Sequence, residues 1–320
     1  MTSSAPTLPY SQTQDGLNHI PAPSPSSFDA EFSGLLPPGS CIHSSWGTTR
    51  YYAFTSTSPA TGRNLILLHG GGTPALGMAP LALKLAEKGE NVVAYDMWGH
   101  GCSSTPLAPH TPALFHHQLL ELLSHLQWTS AHILGFSIGG CYAATFAATH
   151  PKAVESLVLV SPAGLVRKRD RGWLDAFIQD GGWGREWLAR RKIVDGVEGL
   201  NAKPEEGWKE RLKEGVIDTV AVETWERENH GGHVASIVGM FRDGVFDQHE
   251  AYGTLAHSET KALVIVGTED AVFEEKMVKR ELESVGWKSK VTVVEGAGHG
   301  ILRSHVDEVI PVVEEFLRGK

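Results

Sequence analysis

Cysteine is scarce. Only Cys41, Cys102 and Cys141 are present, an odd and widely spaced set. That excludes a disulfide framework, and no Cys-x-x-Cys or paired Cys/His spacing offers zinc or another metal a site. Long apolar runs are missing too. None approaches the roughly 18 residues that span a bilayer, and the N-terminus lacks the charged-then-apolar layout of a secretory leader. We therefore expect no membrane span and a soluble, cytoplasmic protein. Positive charge is in deficit. The chain has 28 Lys and Arg against 37 Asp and Glu, a formal net charge of -9. A surface that tracks nucleic-acid phosphates does not follow from that balance. The densest basic cluster, Arg167-Lys168-Arg169, reads as a solvated loop.

What is present suits a substantial core. The 320 residues are 41% hydrophobic and 20% charged, enough for one large domain or one with an inserted segment. Residues 1–38 are rich in Ser, Pro, Thr and Gln, and Pro21-Ala22-Pro23-Ser24-Pro25 fits neither ladder nor helix. They are expected to form a flexible arm. Beyond them, apolar strand-like runs alternate with helical spacing. The runs are Asn64–His69, Val92–Asp96, Ala131–Leu134, Leu157–Val160, Ala262–Val266 and Val291–Val294. Such alternation implies an α/β fold with a mostly parallel sheet flanked by helices. It breaks at Ser161-Pro162-Ala163-Gly164. Residues 165–257 show no core strand and carry Trp173, Trp183, Trp187, Trp208 and Trp225. They are expected to form a helical cap inserted into a core of 39–164 and 258–320.

The strand at 131–134 runs into Gly135-Phe136-Ser137-Ile138-Gly139, and a small-residue helix follows to His150. Gly-x-Ser-x-Gly at a strand-to-helix junction is the setting of a nucleophile elbow. Glycines at 135 and 139 remove the Cβ atoms that so sharp a turn would crowd. The Ser137 hydroxyl is pushed clear of the sheet. The Ile138 N–H opens a helix, where no intrahelical carbonyl claims it, and it can face a developing oxyanion.

A nucleophilic serine needs a base, and the base needs an orienting acid. Gly267-Thr268-Glu269-Asp270 follows one later strand and Gly298-His299-Gly300 another. Ligands bind at the carboxyl ends of strands in open parallel sheets, so Ser137, Asp270 and His299 can converge there. The acid is assigned to Asp270 from its Gly-x-x-Asp spacing, with the adjacent Glu269 as the alternative. The loop His69-Gly70-Gly71-Gly72 offers a second oxyanion donor, Gly71 N–H, with Gly72 as the neighbouring alternative. His69 is expected to brace that loop.

On these pieces the chain resembles the α/β-hydrolase superfamily from about residue 40 to its end. The matching motifs are His69-Gly70, Asp96-x-x-Gly99-x-Gly101-x-Ser103, Gly135-x-Ser137-x-Gly139, Gly267-x-x-Asp270 and Gly298-His299. The resemblance implies an eight-stranded sheet, a lid after strand six, and Ser-His-Asp hydrolysis with no cofactor. Serine at position 137 departs from the branches that use aspartate there. The expected substrate is a largely apolar small-molecule ester or lactone, with thioester or carbon–carbon cleavage as the alternative. Trp183, Trp187 and Trp225 are the candidate substrate contacts.

Two other classes compete. Gly70-x-Gly72-x-x-Ala75, with Asp96 ending the next strand, fits a dinucleotide-binding turn and so a nicotinamide-dependent oxidoreductase. It leaves Ser137, Asp270 and His299 unexplained. A ligand-binding receptor of the same fold is the other. His230-Gly231-Gly232-His233 has two histidines but no third ligand, and is read as a hinge of the cap.

Overall fold

The computed structural model describes residues 16–55, 62–168 and 186–319. Eight strands form the main sheet: β2 (Ser40–Ser44), β3 (Gly47–Phe54), β4 (Asn64–Leu68), β5 (Asn91–Tyr95), β7 (Ala131–Phe136), β8 (Val154–Val160), β9 (Ala262–Gly267) and β10 (Lys290–Val294). Their order is β10-β9-β8-β7-β4-β5-β3-β2. β2, β3 and β5 pair antiparallel, and every other neighbouring pair is parallel. A separate two-residue pairing joins β1 (His19–Ile20) to β6 (Thr105–Pro106).

The central strands are apolar along their length because both faces are covered. In β4, Ile66 and Leu68 join one core cluster while Leu65 and Leu67 join the other, the period of two that a strand imposes. On the first face lie α3 (Pro112–His125), α4 (Ile138–Thr149), α9 (His249–Ala256) and α10 (Glu275–Ser284), through Phe115, Tyr142, Tyr252 and Val278. The second face is covered by α2 (Ala79–Glu87), α11 (Ile301–Ser304) and α12 (Val306–Leu317), through Leu81, Leu302 and Val313.

Between β8 and β9 runs the insertion. Its described helices are α5 (Glu186–Glu198), α6 (Trp208–Lys213), α7 (Thr219–Asn229) and α8 (His233–Asp243). The expected cap boundary at 257 is too late. Tyr252 and Leu255 of α9 are buried in the sheet's own core cluster, so that helix belongs to the core.

The arm expected to be flexible over 1–38 is packed wherever it is described. Beyond β1, residues Pro25–Glu31 form α1, with Pro25 at its first turn. Phe28 and Phe32 are 1% and 2% exposed, against Leu212, Ile217 and Trp225 of the insertion and Leu76 and Cys102 of the core. The ordering entropy of the polar stretch is offset by these two rings. Residues 1–15 lie outside the described residues.

Candidate active site

Ser137 sits between β7 and α4 with φ 53° and ψ -119°, a conformation side chains rarely adopt. Neighbouring backbone holds it there. Its N–H donates to Val160 O at 3.0 Å, and its carbonyl accepts from Gly140 and Ala163, each at 2.9 Å. The flanking glycines are there for close approach. A Cβ on Gly135 would lie 2.3 Å from Gly139 O, and one on Gly139 would lie 2.3 Å from His69 O.

Three strand ends bring the expected residues together. His299 Nε2 is 3.1 Å from Ser137 Oγ, and His299 Nδ1 is 2.9 Å from Asp270 Oδ2. The other carboxylate oxygen, Oδ1, accepts from the Val272 and Phe273 N–H groups, both at 2.9 Å. With a carboxylate facing Nδ1, the neutral ring carries its proton there and leaves Nε2 free to accept the serine proton. Burial would raise the Asp270 pKa. The hydrogen bond and charge of His299, with the Phe273 N–H, outweigh it and hold the carboxyl below the usual range. Glu269 is exposed, and its own N–H is turned to Ala297 O. The geometry therefore favours Asp270 over Glu269. Phe136 and Phe273 flank the His299 ring at centroid distances of 5.1 and 5.5 Å.

The loop after β4 passes directly against the elbow. A Cβ on Gly71 would meet the Ile138 side chain at 2.9 Å, so the amides of this loop and of the helix start border one space. Gly71 lines the cavity in front of Ser137, and Gly72 does not. Gly72, at φ 79°, turns instead toward Glu198 and Glu223 of the insertion. His69 braces the loop. Its Nε2 accepts from Met97 N–H at 2.8 Å, which leaves Nδ1–H to donate to Gly70 O at 2.7 Å. Burial lowers its pKa to about 4, so it stays neutral.

The cavity encloses about 280 Å³, and its walls include Ile138, Val197, Phe241, Val245, Phe246 and Phe273. Among its lining residues none is an acid, a lysine or an arginine, and His299 is the one histidine. Of the tryptophans expected as substrate contacts, Trp187 and Trp225 are not among them. Trp225 packs edge-on against Phe28 in the arm, and Trp187 is 66% exposed. Trp183 lies outside the described residues. Phe241 and Phe246 line the cavity instead. In sequence nothing separates them from core phenylalanines.

The histidine pair expected as a hinge is a clamp. His230 Nε2–H donates to Ser103 O at 2.7 Å and His233 Nδ1–H to Gly99 O at 2.9 Å. His233 Nε2–H donates to Glu198 at 2.6 Å. Ser236 Oγ–H donates to Trp98 O, and Gly101 N–H donates to Glu226. Burial opposes the His233 charge, but Glu198 and Glu226 outweigh it and raise the His233 pKa. Asp96, the candidate ribose acid of the dinucleotide reading, is fully buried and engaged by the protein itself. It accepts from the Ala75 and Cys102 N–H groups at 2.9 Å and from Tyr52 OH at 3.3 Å.

The family description "alpha/beta hydrolase fold" matches residues 63–305, about three-quarters of the chain. The chain belongs to this family. Over 114 residues the hydrolase is 32% identical to a proline iminopeptidase of Clostridium botulinum, covering 35% of this chain and 39% of that one. It spans about two-fifths of the length of curated relatives such as this. Among solved structures it is similar to the enol-lactonase of Burkholderia xenovorans (TM-score 0.65, 21% identity, 87% of this chain and 100% of that one). A bromoperoxidase of Bacillus anthracis has a TM-score of 0.67 at 20% identity, over 88% of this chain and 100% of that one. At such identities the likeness speaks for the fold alone.

Proposed function

We propose that this α/β-hydrolase is a serine hydrolase that cleaves an ester or lactone of a largely apolar small molecule. The observation that carries the proposal is the unbroken chain from Ser137 Oγ through His299 to Asp270, at 3.1 and 2.9 Å. Ser137 attacks the acyl carbon as His299 Nε2 takes its proton. Asp270 stabilises the imidazolium. The tetrahedral oxyanion takes hydrogen bonds from Gly71 and Ile138 N–H. His299 then gives its proton to the leaving oxygen, and water repeats the sequence on the acyl-enzyme. The aromatic and aliphatic walls of the cavity favour an uncharged, apolar substrate.

A fluorophosphonate probe should label the wild-type chain at Ser137. A panel of neutral esters and lactones of increasing bulk should then reveal turnover. Labelling that persists in Ser137→Ala, or turnover confined to charged substrates, would overturn the proposal.

A further inference from the structure

Both nitrogens of the His233 ring face acceptors. Nδ1 lies 2.9 Å from Gly99 O, and Nε2 lies 2.6 Å from Glu198 Oε1. A neutral imidazole has one N–H and one lone pair. It can serve one of these oxygens, and it must turn its lone pair on the other. The carboxylate is committed as an acceptor, since its Oε2 already takes the Arg227 Nη1–H at 2.6 Å. The contacts therefore require a doubly protonated, charged ring. Both side chains of the pair are 0% exposed, and a buried cation persists only where partners hold it.

Those partners come from several elements. Glu226 of α7 brings Oε2 to 3.5 Å from Nδ1. His100 and His230 present their rings at 4.9 and 6.2 Å, and His69 stands behind His100 at 5.0 Å. Burial keeps these three imidazoles neutral. Glu223 and Arg227 of α7, Arg303 of α11 and Asp96 after β5 complete the charges around the cluster.

The cluster backs the site. Glu198 ends α5, and the two residues before it, Gly196 and Val197, line the cavity. Glu198 Cγ and Glu223 Oε1 close on Gly72, each 3.2 Å from where a Cβ would stand. Gly72 follows Gly71, the oxyanion donor of the proposed mechanism. We propose that His233 is a positioning residue: its charged ring holds Glu198 against Gly72 and so fixes the Gly71 N–H. The inference rests on the serine-hydrolase reading.

Losing that proton sets a lone pair against one of the two oxygens, and the tie between Glu198 and the loop at Gly99 breaks. Burial opposes the charge, but Glu198 and Glu226 outweigh it, so the His233 pKa lies above the ordinary value. The tie is complete below about 6.5 and is lost as pH rises through the raised pKa. The rate should therefore carry a basic limb, besides the acid limb that His299 imposes.

Fluorophosphonate labelling of Ser137 in the full chain, followed from about pH 6 to about pH 10, tests this. Wild type should slow about tenfold across the basic limb while far-UV circular dichroism is unchanged. His233→Gln presents one donor end to two acceptors at every pH. It should be about tenfold slow already at about pH 7 and lack the limb. In Glu198→Gln the amide oxygen can keep Arg227 while the NH2 donates to a neutral Nε2, so the ring no longer needs its charge. That variant should show no fall in rate from about pH 7.5 to about pH 10. A merely structural contact would cost Tm and leave the limb where it was. A wild-type profile flat to about pH 10 would overturn the inference, as would a basic limb that survives in either variant. If His233→Gln does not fold, wild type and Glu198→Gln still decide. These outcomes leave labelling at Ser137 intact, whereas labelling that persists in Ser137→Ala would overturn the parent reading.

Discussion

Truncating Phe28 to alanine removes a ring wedged between Phe32, 5.0 Å away, and Trp225, edge-on at 4.9 Å. Returning such a side chain to water costs about 2–3 kcal/mol. A residual void of about 60 Å³, at about 24 cal/mol per Å³, adds ~1.4 kcal/mol. The two ring contacts, at about 0.5–1.5 kcal/mol each, bring the total to about 4–7 kcal/mol. Urea unfolding followed by tryptophan fluorescence is the assay, since Trp208 and Trp225 report on this cluster directly. Leu83→Ala, at a residue 38% exposed, serves as the reference and should lose less than about 1 kcal/mol. A cycle with Trp225→Ala should show coupling above about 0.5 kcal/mol. If Phe28→Ala loses no more than Leu83→Ala, the arm is not part of the folded core and the reasoning fails. Leu76, in the same cluster, follows the loop that carries Gly71. Labelling of Ser137 should therefore slow as well.

Further outcomes are expected. Ser137→Ala should abolish ester turnover by several orders of magnitude while far-UV circular dichroism is unchanged. Asp270→Asn should be far more damaging than Glu269→Gln, and the reverse ranking in kcat would move the acid by one residue. Gly139→Ala would set a Cβ 2.3 Å from His69 O, so soluble expression or Tm should collapse; a Tm within a few degrees of wild type would contradict the elbow geometry. Stability should peak near pH 6.5. Burial lowers the pKa of His69, His110, His116 and His230 to about 4, and that of His100 well below its usual value. Below about 6.5 only the unfolded chain charges these five. Burial raises Asp96 to about 6 and Glu223 and Glu226 to about 8, so these three acids take up protons first in the folded chain and act in the opposite sense. The histidines outnumber the acids, so the unfolded chain takes up the net protons and stability falls on acidification from about pH 6 to 4.5. Between 6.5 and 8 the two glutamates lose their protons in the folded chain, and stability falls as pH rises. Urea midpoints that rise steadily from pH 6.5 to 8 would refute this ordering.

The sheet and the three candidate triad residues were legible because their signals are local. Each of Ser137, Asp270 and His299 follows an apolar run and carries glycine within three residues, and chain order does the rest. What failed was non-local. Nothing in the polar stretch around Phe28 and Phe32 shows that Trp208 and Trp225, nearly two hundred residues on, form their socket. Packing Trp225 on the arm also takes it away from the cavity, where Phe241 and Phe246 stand instead. Tyr252 reads as cap in sequence because no strand precedes it. Only its burial against α4, with its hydroxyl donating to Ala163 O at 2.8 Å, assigns its helix to the core.

The clamp of α7 and α8 on residues 98–103 dictates how a ligand travels. Lifting this side of the insertion would strand the donors and acceptors that join His230, His233, Ser236 and Glu226 to the core backbone. Four such losses, at about 0.5–1.5 kcal/mol each once water replaces the partners, make an opening there a minor state. Among the described residues another edge of the cavity meets solvent. Val272 borders the cavity and is 57% exposed, and Gly196 also borders it and is exposed. A ligand that entered where these two residues meet solvent would leave the clamp untouched, and its residence time would then be uncoupled from the swing of a whole domain.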